Sequence, residues 1–152
     1  VQSTVFFIAQ NTAALQPGRV KEGLREGRRI LLVYSLGVVA VCLGLRGPLL
    51  RLFTTDPAAA SYGCTMLAFE SVTYLFVAQK HLFEARLRGA QKMGLYLASN
   101  LGQIALNLLA CVVLVPRSGF AGFWMSSWIS EPIGMLLAAA LANLSGTSHQ
   151  LP

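Results

Sequence analysis

The sequence predicts an all-α, polytopic transmembrane helical bundle, and three observations carry that prediction. Of the 152 residues, 55% are hydrophobic and only 12% charged, with a mean hydropathy of +0.59, whereas a water-soluble domain carries about 25% charged residues. Apolar stretches of membrane-crossing length alternate with proline- and glycine-bearing turns. The twelve Lys and Arg residues fall mostly in two short runs between those stretches, the pattern of cytoplasmic loops in membrane proteins. The formal net charge of +6 raises the question of nucleic acid. The cations are not gathered on one soluble face, so the expected partner is the lipid bilayer and not nucleic acid.

Four full spans are expected, over about residues 30–53, 58–88, 93–115 and 120–142, preceded by the tail of a fifth. Val5-Phe6-Phe7-Ile8-Ala9 is apolar from the outset and no Met precedes it, so the chain is expected to be a piece of a longer protein. Gln16-Pro17-Gly18 is a turn signal. Arg19 to Arg29 is helical in period, with Val20 and Leu24 on one side and charges on the other, and is expected to lie in the membrane interface. Ile30 to Leu45 is short for a span and is extended by Leu49 to Phe53 after Gly47-Pro48.

Asp56-Pro57 opens the second full span, Asp56 as the cap and Pro57 at the first helical position. Arg86 and Arg88 with Gly89 just beyond mark its stop. The third span closes at Pro116-Arg117-Ser118-Gly119 and the fourth at Asn143-Leu144-Ser145-Gly146, leaving a polar tail at 146–152. Eight cations in the loops before the first full span and after the second, against three on the other side, place those loops and the C-terminus in the cytoplasm. The sequon Asn143-Leu144-Ser145 is discounted on that ground. The three cysteines, all within apolar segments, are expected to be packing residues.

The spans are not uniformly apolar. On the second, Tyr74, His81, Glu84 and Arg88 lie within about 40° of Glu70 on one helical face. On the third, Tyr96, Ser99, Asn100, Gln103 and Asn107 share an arc about 100° wide. On the fourth, Ser127, Ser130 and Glu131 share a face with Trp124 and Trp128, and Pro132 removes a backbone bond beside the acid. Such arcs must face protein or water, since amides and acids are costly in hydrocarbon. Glu70, the Gln103–Asn107 turn and Glu131 all count to the middle of the bilayer, where one charge costs roughly 2.5–3.5 kcal/mol. Two readings of the acids stay open: neutral acids hydrogen-bonded across helices, or participants in cation or proton coupling and the substrate cavity. His81 is expected to be hydrated near the interface, and Lys80 to snorkel toward it. With no metal-ligand cluster, no nucleophile beside a base and no phosphate loop, an enzyme is not expected, nor any cofactor beyond a coupling ion.

Several segments in order resemble the multidrug and toxic compound extrusion (MATE) family of antiporters. They are Phe7-Ile8-Ala9-Gln10-Asn11 with the basic run Arg19 to Arg29, and the stretch from Pro48 through Asp56-Pro57. Further along come Leu87-Arg88-Gly89-Ala90, and Gly119 to Trp124 leading into Trp128-Ile129-Ser130-Glu131-Pro132-Ile133. The resemblance implies a twelve-helix, two-lobe transporter of which this chain would be the later part of the C-terminal lobe. It also implies efflux of small organic, mostly cationic compounds by alternating access, coupled to sodium or proton influx, with the N-terminal lobe as partner and the bacterial inner membrane as location. Glu70, Tyr74, Asn100, Gln103, Asn107, Ser127 and Glu131 would line the substrate and ion pathway. Alternatives are a small four-helix dimeric transporter, and a non-transporting scaffold or flippase-like relative. Where some members carry an acid in the tenth helix this chain has Val77, so the coupling ion is left as sodium or proton.

Overall fold

The computed structural model describes residues 2–147. The expected polar tail lies, from residue 148 onward, outside the described residues. The chain forms α1 (Gln2–Ala13), α2 (Pro17–Gly44), α3 (Arg46–Arg51), α4 (Pro57–Gly89), α5 (Met93–Ser118) and α6 (Ala121–Thr147), with no strand among the described residues. Three of these, α2, α5 and α6, are long and apolar enough to cross a membrane. The architecture is the all-α polytopic bundle that the composition predicts.

The longest helix, α4, has 33 residues and rises about 50 Å, but it holds no stretch as apolar as the most apolar stretches of those three. Its position explains this. It packs against all five other helices, while α2 packs against neither α5 nor α6. Its buried polar and charged residues, including Gln79, Lys80 and Glu84, cluster toward its C-terminal half. Groups enclosed by protein are not presented to lipid; Lys80 and Glu84 pair with each other, while the Gln79 amide is buried with no partner among the described residues. The outer helices carry an exposed apolar surface, for example Val33, Leu101, Val112 and Leu136.

Local chemistry sets the helix ends. Asp56 caps α4, its carboxylate accepting from the N–H groups of Ala58 at 3.0 Å and Ala59 at 3.3 Å. At the other end Gly89 is not the residue beyond the stop. It is the last helical residue, and a Cβ there would lie 2.6 Å from Ile8 Cγ2 and 3.0 Å from the Val5 carbonyl oxygen. Its lack of a side chain lets α1 come close. The left-handed position is taken by Gln91, at φ 57°. There Lys92 N–H reaches the Leu87 carbonyl at 2.9 Å and Gln91 N–H reaches that of Arg88 at 3.0 Å, the paired bonds of a Schellman end. Leu15, at φ 53°, closes α1 in the same way.

The basic run Arg19–Arg29 is helical, as its period predicts. It is the first part of α2, continuous with the apolar stretch that follows. Gly23 and Gly27, one turn apart on its inner side, meet Phe7 of α1 and Leu82 of α4 respectively. The apolar stretch breaks at Leu45, which caps α2, and Arg46–Arg51 continues as the short α3. Neither Pro116 nor Pro132 ends its helix. Gly119, at φ 58°, makes the turn between α5 and α6.

Candidate functional site

The polar arc of α5 and a stripe of small residues on α6 meet in an antiparallel seam. Every fourth residue of α6 from Gly122 to Ala142 is buried: Gly122, Ser126, Ser130, Gly134, Ala138 and Ala142. Small side chains at that spacing let a second helix approach closely and leave hydroxyls to bond across the gap. On α5, Ser99 and Gln103 are buried, and Asn107 and Cys111 follow at the same spacing, half-buried.

The partners match one for one. A Cβ at Gly134 would come within 2.8 Å of the Gln103 side chain. The Asn107 amide donates to Ser130 Oγ at 2.9 Å, and Cys111 Sγ lies 2.9 Å from Ser126 Oγ. A Cβ at Gly122 would lie 2.5 Å from the backbone of Leu114. Each step of one turn back along α5 is one turn forward along α6.

The seam is tied to α4 by charge. Lys80 Nζ donates to Gln103 Oε1, and lies 3.2 Å from Glu84 Oε1. The other oxygen of Glu84 is 2.9 Å from His81 Nδ1. The side chains of Lys80 and Glu84 are 8% and 2% exposed and that of His81 is 47% exposed. A connected row of polar groups therefore runs from a solvent-accessible imidazole, through a buried ion pair, to the α5–α6 seam. Lys80 does not snorkel. It sits at the level of Gln103, and it tolerates burial because a carboxylate one turn along its own helix and an amide from α5 both serve the ammonium. The signal in the sequence was an opposite-charge pair four residues apart within an apolar helix.

The expected site residues fall in different surroundings. Gln103 and Asn107 point into the seam. Asn100 donates to the Tyr96 carbonyl of its own helix at 3.0 Å, and Tyr74 is 52% exposed. Glu70 is half-buried; its Oε2 is 3.4 Å from Thr73 Oγ1, and its Oε1 is buried with no protein partner. Ser127 and Glu131 are half-buried. The turn bearing Glu70 is joined to the turn bearing Ser127 through aromatic groups. Trp128 Nε1 donates to the Phe69 carbonyl at 3.0 Å, and the Phe69 ring is 6.3 Å from Trp124 and 5.9 Å from Trp128. The buried hydroxyl of Ser126 and the half-buried thiol of Cys111 were missed from sequence, although the run of small residues at every fourth position of α6 was there to find. Among the described residues no group of His, Cys, Asp and Glu is arranged to hold a metal ion, and all three cysteines are free.

The family model described as MatE matches residues 2–113. The chain belongs to the MatE family. A similar curated protein is "Probable multidrug resistance protein NorM" of Chromobacterium violaceum, 32% identical over 117 residues, or 72% of this chain and 25% of that protein. The chain thus spans about a quarter of the length of the curated relative it matches. No solved structure matches. Neither match is to a catalytic family. This MatE chain is accordingly a multi-pass membrane protein in contact with the lipid bilayer, and its polar seam and buried ion pair lie within a transporter family's helical scaffold.

Proposed function

We propose that this MatE chain is part of a multidrug efflux antiporter of the bacterial inner membrane, its C-terminus in the cytoplasm. The whole transporter would export organic cations and other xenobiotics by alternating access, against sodium or protons moving inward. The observation that carries this reading is the family match over most of the chain, together with the name of the NorM relative. The asymmetry of the basic loops supports the orientation.

In this reading Glu70, Tyr74, Asn100, Ser127 and Glu131 contribute to the wall of the pathway, with Gln103 and Asn107 holding that wall in register from behind. The orphaned, buried Oε1 of Glu70 supports a role in binding a proton or cation, because a buried carboxylate oxygen without a partner is costly unless something serves it. The aromatic cluster of Phe69, Trp124 and Trp128 beside it suits a flat, positively charged substrate. An N-terminal lobe would supply the facing wall.

The test is efflux of ethidium by the full-length gene product in vesicles under imposed pH or sodium gradients, with Glu70→Gln and Glu131→Gln compared with wild type. Gradient-driven flux in the wild type, reduced about tenfold or more in at least one variant, supports the reading; a factor of ten corresponds to ~1.4 kcal/mol. Wild-type protein that moves no cation under either gradient overturns the antiporter assignment. Full coupling in both variants overturns the role of the acids.

A further inference from the structure

Away from the seam, a cleft of about 240 Å³ opens between α2 and α4, lined by Leu24, Arg25, Arg28, Leu82, Phe83 and Arg86. Its chemistry is divided. Its rim is formed by Arg25 and Arg28, both exposed, and Arg86, half-buried, while half-buried Leu24 and Phe83 and buried Leu82 form an apolar floor. No carboxylate lines it. The nearest acid to Arg25 is Glu26 at 3.8 Å, an exposed neighbour in its own helix that water screens. Arg86 donates to the neutral Asn143 Oδ1 at 3.4 Å, and Arg28 has no hydrogen-bond or ion-pair partner among the described residues. Nor does any side-chain hydrogen bond or ion pair join α2 to α4 among those residues.

Three arginines lining one small recess that no carboxylate lines favour an anion there. Arginine in particular presents a planar fork that matches phosphate oxygens. A free phosphate would satisfy the rim and leave the floor wet, whereas a phosphate that carries hydrocarbon satisfies both. The cleft lies where α2 begins and α4 ends, at the end of the bundle where the basic loops concentrate and where lipid headgroups sit.

We propose that this cleft is a binding site for an anionic phospholipid, its phosphate held by Arg25, Arg28 and Arg86 and an acyl chain laid over Leu24, Leu82 and Phe83. The bound headgroup supplies the polar link between α2 and α4 that the protein lacks. The site depends on the membrane placement of the helices and not on the transport reading, so the two fail separately.

Native mass spectrometry of the full-length gene product, titrated with phosphatidylglycerol or phosphatidylcholine, tests it. The wild type should retain phosphatidylglycerol at concentrations where phosphatidylcholine is lost. R25Q/R28Q/R86Q should weaken that retention about tenfold or more, in keeping with the loss of charge-assisted contacts. R46Q/R51Q/R117Q, which removes the same charge elsewhere, should stay within about twofold of wild type. Arg28→Gln alone alters an exposed residue without a protein partner, so its weaker retention reads the site without disturbing the fold. Equal retention of the two lipids, equal loss in the control variant, or an unchanged affinity in R28Q and the triple variant overturns the proposal. Competition by glycerol phosphate at the same concentration as the intact lipid assigns the rim to a free phosphate and overturns it as well.

Discussion

Lys80 and Glu84 form an ion pair at 3.2 Å with side chains only 8% and 2% exposed, one helical turn apart in the helix that every other helix touches. Removing one member leaves the other charge enclosed with only a side contact, His81 for Glu84 or the Gln103 amide for Lys80, which costs up to about 3–5 kcal/mol, whereas replacing both with apolar residues of similar volume is close to neutral. Lys80→Met should therefore lower the unfolding midpoint of the detergent-solubilised protein strongly. Lys80→Met with Glu84→Leu should recover most of the loss. Additive losses in that double-mutant cycle would show that the two side chains do not act as a pair.

The seam predicts a graded response to added methyl groups. A Cβ at Gly122 meets the backbone of Leu114 at 2.5 Å, while one at Gly134 meets side-chain atoms of Gln103 at 2.8 Å. Gly122→Ala should cost about 2–3 kcal/mol and Gly134→Ala about 1 kcal/mol or less, read as shifts in thermal unfolding. Gln103→Ala should relieve the strain of a larger residue at 134 and do nothing for Gly122→Ala.

Gln91 holds a left-handed conformation at φ 57°. That costs a residue with a Cβ about 1–2 kcal/mol, against which glycine's extra chain entropy costs about 0.5–1 kcal/mol. Gln91→Gly should stabilise the protein by up to about 1 kcal/mol on that difference. Gln91→Val should destabilise it, since a β-branched residue is least tolerant of positive φ. Thermal unfolding of the two variants side by side gives the sign.

Asp56 serves two backbone donors at the start of α4. Asp56→Ala should cost about 1 kcal/mol and speed amide exchange in the first turn of α4, from residue 58 to 60, leaving the α5–α6 seam unchanged. Asp56→Asn should retain most of the cap.

Hydropathy alone was enough for the class of the fold, because lipid punishes exposed polar backbone and side chains so heavily that composition and span length rarely mislead. What escaped it was enclosure. Lys80 is misplaced in an apolar segment only if the segment faces lipid; once α1, α2 and α6 surround α4, the same residue is an interior cation with two partners. Gly89 shows the same limit at a smaller scale. A glycine after two arginines matches a helix stop, and only the position of Ile8, remote in sequence, reveals that it is there to be approached. The polar arc of α5 was legible from its period, whereas its partner stripe on α6 was obscured because serine, glycine and alanine carry little hydropathy signal. The half-buried acids Glu70 and Glu131 were visible as chemistry, but nothing in one helix's period states what faces them.

The arrangement of the helices also governs how force travels. Since α2 packs against neither α5 nor α6, a push delivered to the α5–α6 hairpin reaches the other side of the bundle only by moving α4. The hairpin, locked tooth by tooth along its seam, behaves as a single lever, and α4 is the axle on which that lever bears.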